Sequence, residues 1–386
     1  EIPKRDWSSD VCSSDLPVSA LVNSTTRTWS ADPAGQLDPR LDCDLTNPLA
    51  NGTCGALAVP TFGRQLTPTT FYDPAIVTGW GLRSYNWELQ ASVQQQVAPR
   101  VSVYAGYSRR WFDNLTATQN TAVSNSSFTS YCIGVPTAPG ATGQTLPNAG
   151  GQQCGYIDLV RPTTPNNVIQ LASNFGKVED VYDGFDFDAN ARLGRAMFVN
   201  GGISVGRERI DACALKDNYQ IAAVGFGAVT AGFGANTARD AAYCAARPPF
   251  QPNVKGQISY PFPWGIGASL SFQSLPGAQV VGNYPLTNTT AGLTLGRAFS
   301  STPPSVSVVP PGLLYLDRIY QTDIRFTKTI RYHATTIRPT LSVFNLFNAN
   351  PTNTNAAFQT TYGTSWLAPT VILTPRFMDI GVQIDF

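Results

Sequence analysis

Apolar and polar residues alternate along much of this chain, most plainly at its end. Met378, Ile380, Val382, Ile384 and Phe386 share one parity, and Asp379, Gly381, Gln383 and Asp385 the other. A period of two puts the two sets on opposite faces of a strand. Upstream, Trp87, Leu89, Ala91, Val93 and Val97 alternate with Glu88, Gln90, Ser92, Gln94 and Gln96, with Gln95 the one polar residue on the greasy side. Val101, Val103, Ala105 and Tyr107 return after Ala98-Pro99. Phe185, Phe187, Ala189, Ala191 and Leu193 alternate with Asp186, Asp188, Asn190 and Arg192, and Val199, Gly201, Ile203 and Val205 return after Gly194-Arg195. Val254 to Tyr260 pairs in the same way with Ile266 to Phe272 across a turn bearing Trp264. Tyr320, Thr322, Ile324, Phe326 and Ile330 lead through a turn at 331–335 to residues 337–347, and 376–386 closes the series.

Nine strands result, and the gaps between them alternate between very short and very long. The long gaps are residues 113–180, 210–250, 273–314 and 348–374, and residues 17–84 precede the first strand as another loop. A loop of that size is uncommon inside a compact soluble domain. Membrane barrels have this rhythm, with short periplasmic turns and long outer loops. The expected fold is therefore all-β: an antiparallel transmembrane β-barrel, represented by a fragment of about nine C-terminal strands. Bacterial single-chain barrels use even strand numbers, and lipid does not tolerate an open sheet edge. Further strands are thus expected on the N-terminal side. The alternative is a soluble sandwich that buries the apolar face against a second sheet.

Composition sharpens the choice. Charged residues make up 13% of the 386 residues, against roughly 25% in ordinary soluble proteins. Net charge is +1, which gives no nucleic-acid footprint. Five of the 26 basic residues are Lys, leaving 21 Arg. No apolar run approaches the ~18 residues of a membrane helix, so a membrane would be crossed by strands. No secretory signal opens the chain. Residues 1–16 carry the near-repeat Ser8-Ser9-Asp10 and Ser13-Ser14-Asp15 around Cys12. They resemble the translation of a sequencing adapter, are expected to be disordered, and are set aside from the fold.

Six further cysteines form near pairs: Cys43 and Cys54, Cys132 and Cys154, Cys213 and Cys244. Fifteen connectivities are possible. Each near pair lies inside one long gap, which favours local disulfides and an oxidising compartment. Neither C-x2-C spacing nor His partners exist for a metal, since the single histidine is His333.

Three segments resemble one family. Arg318-x-Tyr320-x-x-Asp323-Ile324-Arg325-x-x-Lys328 is similar to the antepenultimate strand of TonB-dependent outer-membrane receptors. Val343-Phe344-Asn345-Leu346-Phe347-Asn348-Ala349-Asn350-Pro351 resembles their penultimate strand and its exit, and Pro375-Arg376-Phe377 leading to Ile384-Asp385-Phe386 their closing strand. With Leu275-Pro276-Gly277 and Pro311-Gly312-Leu313, the series is similar to the Oar-like subgroup, which carries a carboxypeptidase-regulatory-like domain. The resemblance implies a bacterial outer-membrane receptor taking up a scarce nutrient. It also implies a plug inside the barrel, coupling to the TonB complex, and an assembly machinery that reads the terminal aromatic Phe386. Neither plug nor TonB box is visible in these residues. A passive porin-like channel and a secreted adhesin or carbohydrate-binding module are the alternatives.

No catalytic constellation is present, no cofactor motif stands in a suitable context, and no enzyme activity is expected. A Ser-His-Asp triad would need His333, which falls in a turn. Asp183, Asp186 and Asp188 could evoke calcium, but Asp186 and Asp188 are better placed on the polar face of a strand. Gly201-Gly202 and Gly225-x-Gly227 lack a strand-to-helix setting for phosphate. The set expected to face the lumen is Glu88, Asp186, Asp188, Arg192, Lys255, Asp323 and Arg325. Pairing within the wall, or from wall to plug, is favoured there over direct substrate contact. Trp87, Trp111, Trp264 and Phe386 fit interfacial aromatic girdles.

Overall fold

The computed structural model describes residues 21–28, 43–64, 68–194, 196–226, 229–231, 236–352 and 358–386. Residues 1–16, Arg195 of the second short turn and Gly227 lie outside the described residues. The chain divides into two units, Glu1–Thr69 and Thr70–Phe386. In the first, a disulfide joins Cys43 to Cys54, and the Arg27 guanidinium donates to the Asp44 carbonyl at 3.3 Å.

The second unit is all-β in its main body. Nine long strands run antiparallel: β1 (Tyr85–Ala98), β2 (Val101–Asp113), β3 (Glu179–Leu193), β4 (Met197–Asp211), β5 (Gln251–Phe262), β6 (Ile266–Leu275), β7 (Ile319–Lys328), β8 (Thr335–Phe344) and β9 (Phe377–Asp385). Each pairs with its neighbour in sequence, so the sheet is a meander with β1 and β9 at its edges. Among the described residues it does not close on itself.

The registers keep parity from edge to edge. Val93 lies opposite Ala105, Ala105 opposite Phe187, Phe187 opposite Ile203 and Ile203 opposite Val254. Farther along, Leu270 faces Ile324, Ile324 faces Val343 and Val343 faces Met378. A one-residue slip anywhere would throw polar side chains onto this face. A register shift occurs between Gln96 and Ala98, at the turn end of β1.

Tight hairpins need residues with positive φ. The short turns supply Arg100 (φ 68°), Gly194 (φ 55°), Trp264 (φ 64°) with Gly265 (φ 72°), and His333 (φ 53°). Only two of these are glycines, so the other three accept a left-handed backbone that favours glycine.

The long gaps differ from the loops expected of them. The first holds short strands at Thr116–Asn120, Phe128–Gly134, Gln152–Leu159 and Asn167–Leu171. The second holds Ile221–Phe226, Val229–Ala231 and a helical turn at Ala241–Cys244, and the third pairs Asn283–Pro285 with Ser305–Ser307. Their disulfides are local, Cys132–Cys154 and Cys213–Cys244. All four excursions converge on one core, with Tyr131, Ile133, Tyr156, Tyr243, Val280, Val306, Phe358 and Trp366 buried together. A smaller core joins Leu115, Ala117, Ala172, Leu215 and Ile221.

Candidate functional site

Among the described residues, the buried apolar side chains are thus concentrated in the excursions, while those on the long apolar face of the sheet are exposed. Trp366 is 0% exposed, whereas Val93 is 60% and Ile380 79% exposed. Phe187, Ile203, Ile258, Phe272, Phe326, Leu341 and Val382 are exposed on the same face. From Phe185 to Leu193 this face runs about 26 Å along β3 at a strand's usual rise. No helix among the described residues is long and apolar enough to cross a membrane.

Trp87 and Trp111 lie opposite each other at the excursion end of the apolar face. Trp264 (82% exposed) and Phe386 (101%) stand at the turn end. Aromatic side chains therefore mark both margins of the band.

The opposite face carries the expected polar set. In one row, Asp188 lies opposite Gly202 and Gly202 opposite Lys255. Gly202 has no side chain because a Cβ there would sit 2.0 Å from the Asp188 carboxylate. Asp186, Asp188, Asn200, Ser204, Asn253 and Lys255 line a cleft of about 700 Å³ over it. Glu88 pairs with Arg110, whose Nε donates at 3.0 Å. Asp323 accepts from Gln321 Nε2 at 3.1 Å and from the Asn345 backbone N–H at 2.8 Å. Arg338 pairs with Asp385 at 3.0 Å. Among the described residues, Asp186, Asp188, Arg192, Lys255 and Arg325 form no ion pair or side-chain hydrogen bond. Pairing within the wall therefore accounts for Glu88 and Asp323 but not for these five.

Tyrosines cover glycines on this face. A Cβ on Gly106 would meet the Tyr104 hydroxyl at 2.6 Å, and one on Gly206 would meet that of Tyr182 at 2.3 Å. Rings laid over bare backbone fill the gap a strand glycine leaves.

Several other candidates are placed elsewhere. Asp183 is on the apolar parity, away from Asp186 and Asp188, and accepts from the Tyr107 hydroxyl at 2.9 Å. Among the described residues no three His, Cys, Asp or Glu side chains are grouped to hold a metal. His333 sits in its turn, edge-on to Tyr332. Gly201 and Gly202 are mid-strand in β4.

Sequence reasoning did not find the polar groups that order the excursions. Arg239 is 7% exposed and donates to the carbonyls of Asn218 at 2.9 Å and Ile221 at 2.6 Å. Burial lowers its pKa to about 10, still charged at neutral pH. Tyr156 donates to the Ser307 carbonyl at 2.7 Å and stacks on Tyr131, and burial pushes both phenols above their ordinary range. Asp158 of the first excursion pairs with Arg297 of the third. The one available signal was brief: Tyr131, Ile133 and Val135 alternate, but for too few residues to stand out.

The excursions, packed on their common core, form a platform that bears a polar cleft of about 470 Å³ lined by Thr142, Gln144, Tyr315, Asp317, Arg318 and Asn350. Arg318 is committed there to Ser274 and the Pro252 carbonyl. Compared with known proteins, the chain matches no family model and no curated sequence.

Proposed function

We propose that the nine strands form part of the wall of a transmembrane β-barrel in a bacterial outer membrane. Within that frame the chain is the C-terminal wall and outer platform of a TonB-dependent, Oar-like receptor for a scarce nutrient. The observation that carries the membrane part is the apolar face, exposed among the described residues and continuous in register across all nine strands. A soluble sandwich would cover such a face with a second layer. The excursions bury their own apolar residues well, so the sheet's exposure is not a general failure to pack. In lipid the free edges of β1 and β9 would have to be paired by further strands.

The receptor part rests on sequence resemblance, and on the way its segments adjoin. They lie on β7, on the end and exit of β8, and on β9, three neighbours in the sheet, with Asp323 of one segment bonded to Asn345 of the next. In this reading the platform captures the ligand outside. The five unpaired charges of the polar face line its path, and the energy-coupling plug and TonB complex act from within. The assembly machinery would read Phe386 at the end of β9. Binding and passage, not bond chemistry, are the work proposed.

The test is a pair of arginine substitutions on adjacent residues of β5. Ile258→Arg should cost ~2–4 kcal/mol near a bilayer midplane and prevent folding into lipid vesicles. Ser259→Arg, on the wet face, should fold normally. A chain that is soluble without detergent and tolerates both equally would end the membrane proposal. Free diffusion of small solutes through the folded barrel, without an energised partner, would replace the receptor with a passive channel.

A further inference from the structure

Just beyond the apolar band, on the same outward face, the residue type changes abruptly. Arg109 of β2 lies opposite Asp183 of β3, which lies opposite Arg207 of β4. One row farther out stand Trp111, Val181 and Arg209. Asp183 is 8% exposed and holds Arg109 at 3.4 Å and Arg209 at 3.2 Å, with the Tyr107 hydroxyl as its third partner. The Arg207 guanidinium lies over the Phe250 ring, 4.3 Å from its centre, and no carboxylate among the described residues pairs with it. Three arginines thus adjoin one carboxylate on this face, and it orients two of them without neutralising the group. Farther out come Asp113, the last residue of β2, and the opposed pair Glu179 and Asp211, where Glu179 pairs with Lys177 and Asp211 with Arg247.

Below the arginines comes a row of Tyr107, Phe185 and Val205, and beyond it the apolar face is hollow. Ala105, Ala189 and Gly201 form a trough flanked by Val103, Phe187 and Ile203, with a volume of about 680 Å³. Phe187 is four residues from Asp183 on β3, or about 13 Å at a strand's rise. A greasy trough one apolar row short of a net-positive cluster has the profile of an anionic amphiphile.

We propose that this patch binds a phosphate-bearing lipid of the surrounding leaflet, its phosphate on Arg109, Arg207 and Arg209 and an acyl chain in the trough. The assignment rests on the membrane reading above. Guanidinium is the side chain best matched to phosphate oxygens, and it is strongest where water is scarce. Asp183 and Tyr107 fix the donors beforehand, so little side-chain freedom is lost on binding.

The experiment uses the full chain in neutral detergent micelles, followed by native mass spectrometry. The probes are dioleoyl phosphatidic acid and dioleoylglycerol, identical except for the phosphate. The phosphatidic acid should bind about tenfold more tightly, the worth of one or two charge-assisted bonds. R109Q/R209Q should remove most of that preference. If this double variant does not fold, R207Q, whose guanidinium has no carboxylate to desert, should reduce it instead. A189L should weaken both lipids while keeping their ratio, and inorganic phosphate alone should not compete at lipid concentrations. Equal affinity for the two lipids, or a preference untouched by the arginine substitutions, overturns the site. Unchanged lipid affinity in A189L overturns the acyl trough. A chain that takes up no detergent and enters no dioleoylphosphatidylcholine vesicle fails at the membrane reading itself, whereas one that inserts but shows no preference fails only here.

Discussion

The backbone N–H of Asn345 donates to the Asp323 carboxylate at 2.8 Å, joining the exit of β8 to the middle of β7. The Asn345 side chain continues the link. Its Nδ2 donates to the carbonyls of Ala349 at 2.8 Å and Thr374 at 2.9 Å, and its Oδ1 accepts from the Ala349 N–H at 2.8 Å. One residue, 2% exposed and at φ 50°, thus ties β7, the end of β8 and the approach to β9. Asparagine suits the place because it tolerates the left-handed backbone and carries both a donor and an acceptor.

Asn345→Ala should therefore be costly. It takes three hydrogen bonds from the Ala349 and Thr374 backbones and leaves a Cβ-bearing residue in the left-handed region, for a combined loss of about 2 kcal/mol. Asn345→Gly should fall between, since it relieves the backbone but makes no side-chain bonds. Urea unfolding of the detergent-solubilised chain measures the order. Equal midpoints for Ala and the native residue would remove the clamp from the account.

The Asp158–Arg297 pair tests whether the excursions fold as one platform. Asp158 is only 11% exposed at its side chain, and it also accepts from the Ser300 N–H at 3.3 Å. Removing Asp158 leaves the partly buried Arg297 guanidinium with carbonyl partners only, a loss of about 2 kcal/mol for a charge-assisted bond. Asp158→Ala should accordingly make the first and third excursions sensitive to protease. The double variant D158A/R297A should lose less than the sum of the two single variants. Strict additivity would mean the pair does not couple the two segments.

Asp180 gives the platform margin a pH dependence. It lies five residues before Phe185, where the apolar stretch of β3 begins, and so falls outside the proposed membrane-crossing part. It is 3% exposed, and burial first, then the charge and hydrogen bond of Glu208, push its carboxyl up to about 7. A folded pKa above the unfolded one means the folded state holds the extra proton between about pH 4 and pH 7. Stability then falls as pH rises through that window and levels off above it. Asp180→Asn should raise the melting temperature at pH 8 and leave it unchanged at pH 3. Parallel melting profiles for the two proteins across that range would contradict the assignment.

The strands were legible because alternation persists long enough to exclude a helix. Phe185 to Leu193 alone gives five apolar positions on one parity, and the registers then align them with their neighbours. The same rule separates Asp183 from Asp186 and Asp188, which differ from it in parity though they are close in sequence. The excursion core was not legible, for a different reason. Trp366 donates to the Val281 carbonyl and packs among residues from other excursions, so its environment is set by contacts 85 residues away. Local pattern carries no trace of such contacts. Arg239 was equally hidden, because the groups it donates to at Asn218 and Ile221 are backbone carbonyls, which every residue possesses.

Two glycines, finally, predict opposite signs for one substitution. Gly277 follows β6 where the legs of the third excursion meet, with the Leu316 N–H donating to the Ala278 carbonyl at 2.9 Å. A Cβ on Gly277 would fall 2.0 Å from the Leu316 carbonyl oxygen and 2.4 Å from its carbon. Both are backbone atoms, so no side-chain rotation relieves the clash and the legs must separate. Gly277→Ala should cost about 1–3 kcal/mol and expose residues 276–318 to protease while the β6–β7 pairing survives. Gly381 is mid-strand in β9, and a Cβ there would meet nothing within 4 Å. Gly381→Ala should instead stabilise the chain by about 0.5 kcal/mol, through a less flexible unfolded state. Thermal unfolding of both variants, with limited proteolysis of the first, checks the pair. Equal effects from the two would show that the close approach at Leu316 does not govern the fold of that excursion.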